Sequence, residues 1–346
     1  MNAIYKSINT INYEEEKVVS ISTPVAFDAF VSELIDHISN NNSVRDYKTK
    51  SNSTEVISCI RTICNDTSNA EQVYDKMNTI ANRLLREEIE AQSKIGSTRT
   101  SVKKGSLVQA LLSDENGYVY LLAKVEHSDW VDDTDFSFKT GFSKDKKTIW
   151  KSCLFDLSDL DSVSYTAKVY SDTKARFWSK GFLELDEMNT DEINTERAFR
   201  AIDSTLNSKH NRINGPDYTI LRNGFVLYMK NKEHIDFYNM VEEIVGDYTP
   251  IGDGVTNEQI NELKKKLLEL PEKKHFDGQF NSVASAINAR CKKELSVNAG
   301  IDLKLSRPIE DLFNTISSFE ENGAKYLKIR TNNDETYNMF NYNRQR

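Results

Sequence analysis

Residues 106–127, Ser-Leu-Val-Gln-Ala-Leu-Leu-Ser-Asp-Glu-Asn-Gly-Tyr-Val-Tyr-Leu-Leu-Ala-Lys-Val-Glu-His, decide the fold. Before them the apolar residues recur at helical spacing; from 106 the period changes to 2. Asn116-Gly117 sits between two strand-like runs, and that pair tolerates the positive φ of a tight hairpin turn. Three more strand-like runs follow: DTDFSFKTG, WKSCLFDL and VSYTAKVY. Five consecutive runs with short connections predict an antiparallel meander.

Upstream, residues 1–22 read as an edge strand or hairpin. Thr23-Pro24 is a helix start, with Thr as cap and Pro in the first turn. Phe27, Phe30, Val31, Leu34 and Ile38 keep one face of the helix that follows. Residues 44–53 are polar and read as a loop. Helices are expected at 54–64 and 69–92, with Cys59 and Cys64 as core thiols. The N-terminal helices are expected to cover one face of the sheet.

Downstream, 174–180 opens a short helix with Phe177 and Phe182 inward. Asn189 and Glu192 have capping-box spacing, and Ala198, Phe199, Ile202 and Leu206 form a buried stripe. Helical patterns run over 218–230, 232–245 and 256–270, the last ended by Pro271. Short strands return from 276 to 340, ETYNMF being the last. The expectation is an α+β protein: N-terminal helices on an antiparallel meander sheet (1–210), a helical connector (211–275) and a small, mostly β C-terminal unit (276–346).

Composition narrows the function classes. The chain has 346 residues, net charge −8 and 38% hydrophobic content. No apolar run approaches the roughly 18 residues of a membrane span. The N-terminus has no signal-peptide core. Four scattered cysteines and five scattered histidines support neither a disulfide framework nor a metal site. A cytoplasmic protein without cofactor or metal is expected.

Against this acidic background, residues 139–180 hold nine Lys/Arg and five Asp/Glu, a net of +4. Lys139, Lys144, Lys146, Lys147 and Lys151 form one group. Lys174, Arg176, Trp178 and Lys180 form a basic-aromatic knot, followed at 183–196 by six acids and no base. Arg99, Lys103 and Lys104 precede the sheet. Arg290, Lys292 and Lys293, with Lys304 and Arg307, form a further group. Cations beside aromatic planes suit backbone gripping and stacking on nucleic acid. The competing reading makes Phe177 and Trp178 core residues and lets the cations neutralise the acidic stretch. Net negative charge does not forbid local phosphate contact, because distant acids are screened over about 10 Å.

Catalytic signatures are weak. A metal-dependent nuclease needs two or three carboxylates beside a lysine. Glu15-Glu16-Lys17 lacks a further acid, and Asp156, Asp159 and Asp161 read as turn residues. There is no Gly-rich phosphate loop among the 13 glycines.

KTGFSKDKKTIWKSCLFDL, VYSDTKARFWSKGFLELDEMNTDEINTERAFRAID and NAGIDLKL…KYLKIRT, taken in order, resemble the bacterial nucleoid-associated protein family, the NdpA/YejK-like group. The sharpest match is Asn194, Thr195, Arg197, Ala198, Phe199, Ala201, Ile202 and Asp203. The resemblance implies a cytoplasmic, nucleoid-located homodimer. It would contact DNA without sequence preference and, in some relatives, type II topoisomerase subunits. Lys139, Lys144, Lys146, Lys147, Lys151, Lys174, Arg176, Trp178, Lys180, Arg290, Lys292 and Lys293 are the expected DNA-binding residues, with no catalytic residue among them. The alternative is a phage-defence effector or inhibitor acting on a protein partner, with or without nuclease activity.

Overall fold

The computed structural model describes residues 2–21, 25–95, 105–131, 138–142, 149–171, 177–208, 215–251, 254–287, 293–305 and 315–341. The protein is α+β. Its centre is an antiparallel sheet built from β1 (Asn2–Asn12), β2 (Lys17–Ser20), β3 (Arg45–Thr49), β4 (Gly105–Asp114), β5 (Gly117–Val131), β6 (Phe138–Phe142), β7 (Ile149–Leu157), β8 (Thr166–Ser171) and β9 (Leu185–Glu187). The order is β2-β1-β4-β5-β7-β8-β3-β9. The hairpin at Asn116-Gly117 forms as its sequence dictates, with Gly117 at φ +131°. The N-terminal hairpin is also present.

Strand β6 departs from a simple meander. It pairs with the outer half of β5, His127 to Val131, while β7 pairs with the inner half, Tyr118 to Val125. A long β5 thus serves β7 and β6 in turn along its length.

Helices cover both faces of the sheet, not one. Helix α1 (Val25–Ser39) sets Val31, Leu34, Ile35 and Ile38 against Ile8, Val108, Ala110, Leu121 and Val125. Helices α2 (Glu55–Asn65) and α3 (Ala70–Ile95) cover the other face through Ile57, Ile60, Met77 and Leu84 against Leu107, Tyr120, Leu122 and Phe155. Alternate side chains of β4 and β5 therefore pack on opposite faces of the sheet, which is why these strands are apolar almost throughout. Burying each large aliphatic contributes about 1.5–3 kcal/mol. Cys59 and Cys64 are buried among these residues, as their position in helical stripes implied, and so is Cys153. Burial pushes the Cys64 thiol up to about 12. Thr23 and Pro24 lie outside the described residues.

The expected loop at 44–53 contains a strand. RDYKT reads as polar, yet β3 lies between β8 and β9, with Arg45 and Tyr47 buried. The partners that neutralise Arg45 come from far along the chain, so local polarity misleads.

A second core follows. Helices α4 (Asp191–Leu206), α5 (Gly215–Asn231), α6 (Phe237–Val245), α7 (Asn257–Leu268) and α8 (Leu270–Lys274) pack with the short hairpin β10 (His234–Asp236) and β11 (Gln279–Asn281). The stripe Ala198, Phe199, Ile202 and Leu206 is buried here, so α4 belongs to this core and not to the sheet's. Its cap is Thr190, whose hydroxyl accepts from Ile193 N at 3.2 Å, one residue after the expected Asn189. Pro271 begins α8 and does not end α7.

Beyond lie two hairpins, β12 (Lys293–Asn298) with β13 (Ile301–Leu305) and β14 (Ile316–Glu321) with β15 (Ala324–Ile329), and helix α9 (Asp334–Phe340). ETYNMF is therefore a helix. Asn333 caps it, its side chain accepting from Thr336 N at 2.9 Å. Among the described residues no helix is long and apolar enough to cross a membrane.

Candidate functional site

Strand register decides where the basic segments leave the body. Lys124 of β5 lies opposite Lys151 of β7, and Lys151 lies opposite Ser171 of β8. Gly105, the first residue of β4, lies opposite Glu126 of β5. Ile149 opens β7, and Lys139 of β6 pairs with Trp130, further along β5 in the same direction. The described strand ends that flank 99–104, 143–148 and 172–176 are thus neighbours at one end of one sheet. Lys144, Lys146, Lys147, Lys174 and Arg176 themselves lie outside the described residues, as do Arg99, Lys103 and Lys104.

The described members of these groups have definite surroundings. Lys124 is buried and forms a 2.6 Å ion pair with the buried Glu88 of α3. Lys151 is also buried, its Nζ 5.2 Å from the centre of the Phe177 ring. Lys180 is exposed and stands 3.6 Å from Glu187. Trp178, one of the expected DNA-binding residues, is fully buried against Phe182, ring centres 5.0 Å apart. It opens a π-helical turn, Phe177–Phe182, whose apolar side enters the sheet core. A base cannot stack on it, and Trp178 leaves the set of contact residues. Among the described parts of the knot, the core-and-neutralisation reading holds. Lys293 begins β12, paired with Leu305, and no described pairing joins that hairpin to the large sheet. Arg290 and Lys292 lie outside the described residues.

A second cluster, missed in the sequence, closes the seam between the two cores. Arg45 Nη1 donates to Asp191 Oδ1 at 2.7 Å and Nη2 to Asn189 O at 2.8 Å. Glu187 Oε2 is 3.2 Å and Asp277 Oδ2 3.5 Å from the same guanidinium. Asn194 Nδ2 donates to Asp277 Oδ2 at 2.6 Å, and Asp277 N returns to Asn194 Oδ1 at 3.0 Å. Burial raises the Asp277 carboxyl above its usual range, against the pull of Asn194 and Arg45. Thr195 Oγ1 accepts from Val283 N, and Arg197 Nη1 donates to His275 O at 2.6 Å. Asn194, Thr195 and Arg197 thus tie α4 to 275–283, and their role is architectural. No sequence spacing signals this, since the partners are separated by some 80 to 230 residues.

Two cavities flank these elements. The larger, 810 Å³, includes Glu33, Asp36 and Asp236 in its wall and so disfavours a polyanion. The smaller, 360 Å³, lies at the seam beside Arg45. Among the described residues no group of three or more His, Cys, Asp or Glu could hold a metal ion. Asp156 and Asp159 accept backbone N–H groups two residues on, from Ser158 and Asp161, which is turn chemistry. No protein-family model and no curated protein matches the chain.

Proposed function

We propose that the protein is a non-catalytic, nucleoid-associated-type protein that contacts DNA, or DNA together with a DNA-processing enzyme, through the cation-rich end of its sheet. The carrying observation is the adjacency of Gly105, Lys151 and Ser171 in register. Three basic segments far apart in sequence are thereby attached to one edge of the body. The resemblance of 139–206 to nucleoid-associated proteins supports the same reading. Clustered cations add affinity by releasing condensed counterions, so binding should weaken steeply with salt. In a gel shift across a salt series, Lys146→Glu with Arg176→Glu should abolish a salt-dependent complex. Unchanged binding after both reversals would reject the site.

A separate feature supports the homodimer. Hairpin β14–β15 is solvent-exposed on both faces, with Phe319, Tyr326, Leu327 and Ile329 between 44% and 49% exposed. An isolated two-stranded hairpin is marginal in water, so we assign its partner as a second copy of this chain. The register pairs Ile316 with Ile329 and Glu320 with Lys325 on one face. A two-fold axis along the hairpin sets each residue over its own register partner from the other copy. Glu320 then meets Lys325 of the second copy, and Ile316 meets Ile329. Lys325→Glu and Glu320→Lys should each shift the chain toward monomer in sedimentation. Mixing the two variants should restore dimer. A monomeric native chain, or a mixture that stays monomeric, would sink this pairing.

A further inference from the structure

We propose that the 810 Å³ cavity between helix α1 and the second core binds a linear aliphatic polyamine. One wall is the exposed side of α1, with Glu33 and Asp36, and the loop that follows it. The other is Asp236 and Tyr238, where β10 runs into α6. Ser152 of β7 and Tyr170 of β8 line it from the sheet. They are register partners, and Ser152 also lies opposite Ala123, which packs under α1. Both therefore belong to the face that α1 only partly covers. Ser43 Oγ donates to Asp236 Oδ1 at 2.8 Å and joins the two walls.

Two independent features select the ligand. The first is charge. Among the described residues the lining holds three carboxylates, one histidine and no lysine or arginine. The Glu33 and Asp36 carboxylates are exposed and form no ion pair among the described residues. Lys168, the next residue on this face of β8, stands opposite Asp46 in register, which neutralises it. The second feature is a polar group on the sheet. Ser152 is 3% exposed, and that remnant of surface opens on the cavity. Its hydroxyl has no hydrogen-bond partner among the described residues, which is uncommon for a buried polar group. An N–H donor inside the cavity would satisfy it.

Geometry narrows the cation. A metal ion needs carboxylates that converge on one point, and among the described residues no group of three or more His, Cys, Asp or Glu does so. Carboxylates carried on two walls suit ammonium groups spaced along a chain. Those groups can donate to Glu33, to Asp36 and to Oδ2 of Asp236, whose Oδ1 already accepts from Ser43 and from Asn239 N. Ser152 Oγ can accept one N–H more. The Tyr170 and Tyr238 rings offer faces that attract a cation and surface for the methylenes between charges. The volume lies in the usual range for small-molecule sites. The inference is independent of the nucleic-acid reading above.

The test titrates the full chain with spermidine by calorimetry at low salt, with butylamine as the single-charge control. Spermidine should saturate with Kd below about 1 mM and bind about tenfold or more tighter than butylamine. Its affinity should fall as salt rises. Glu33→Gln with Asp36→Asn, both at exposed positions of α1, should weaken spermidine about tenfold, the effect of roughly 1.4 kcal/mol. Ser152→Ala, which removes only the hydroxyl, should weaken it severalfold, and Ser152→Leu, which fills the cavity from the sheet, should abolish it. If the Ser152 variants melt below the assay temperature, the exposed α1 pair decides alone. Glu15→Gln with Glu16→Gln, in the exposed turn after β1, matches the change in net charge and should leave binding unaltered. An equal loss there would mean general attraction to an acidic protein and would overturn the site. Absence of saturation, or butylamine binding as tightly as spermidine, would overturn it too. Tetralysine binding that the α1 pair abolishes, without spermidine saturation, would give the cavity to a basic peptide and overturn the polyamine.

Discussion

Two parts of this molecule place aromatic rings beside lysines, and they use the same composition oppositely. In 177–182, Trp178 and Phe182 are fully buried, and the neighbouring cations pack on a ring or face an acid. In β14–β15, Phe319 and Tyr326 stack at 5.0 Å with about half of each side chain in water. The difference is what lies behind them. The π-helical turn has α3 at its back: Arg83 donates to Phe182 O and Gly181 O, both at 2.9 Å. Among the described residues, β14 has only β15. An aromatic-basic string therefore states a composition and not a location.

The sharpest way to break this contrast is truncation of one ring from each region. Trp178→Ala should cost about 3–5 kcal/mol, the usual loss for a buried large aromatic. Phe319→Ala should stay within about 0.5 kcal/mol in the monomer, as exposed substitutions do. Chemical denaturation of both variants at low protein concentration measures this. Similar losses would mean that the hairpin is covered in the monomer.

A smaller effect is expected at the seam. Asn194→Ala leaves an oxygen of Asp277 and its backbone N–H without their partner, and should cost about 1–3 kcal/mol. The loss should appear as a separate melting step of the helical core if the seam is its main tie to the sheet. A single cooperative transition, shifted but not split, would show that the cores are coupled by more than this network.

How much of this was legible differs between the two cores and the tie between them. Helices α2 and α3 and the β4–β5 hairpin follow directly from period and turn chemistry, because their partners are near in sequence or generically apolar. The covering of both faces was also written in the sequence: Leu107 to Leu112 and Tyr120 to Val125 are apolar on both parities, which a half-exposed strand would not tolerate. Strand β3 was not legible. Its buried Arg45 is affordable only where Asp191 and Asp277 already wait, and nothing within RDYKT announces them. For the basic groups, the sequence supplied the charges and only the strand register supplied their adjacency. Asn194 and Thr195 stood out as a signature, yet their chemistry faces inward.

Titration separates the seam from the surface more finely. Burial raises the Asp277 carboxyl above 3.8. A carboxyl raised on folding favours the folded state while protonated, and that contribution disappears as pH rises through its folded value. Asp277→Asn cannot ionise. Its stability relative to the native chain should therefore increase as pH climbs above 3.8, whatever constant loss follows from the weakened Arg45 contact. Denaturation of both proteins over a pH series gives the slope. A difference that is flat, or falls with pH, would mean that the ion pair with Arg45 outweighs burial at this site.

The smallest expected effect tests whether the buried knot still has an outward use. Lys180 is its one described exposed cation, and a surface ion pair at 3.6 Å from Glu187 contributes at most about 0.5 kcal/mol. Lys180→Ala should thus leave the melting midpoint almost unchanged. Should the cationic sheet end extend around the π-helical turn, the same variant would lower the salt dependence of oligonucleotide binding by about one ion, since each phosphate contact contributes roughly that much slope. A change in slope without a change in stability would assign Lys180 to the nucleic-acid surface. A change in neither would confine that surface to the segments beyond Gly105, Ile149 and Ser171, and would leave Lys180 as the neutraliser of the acidic stretch that follows it.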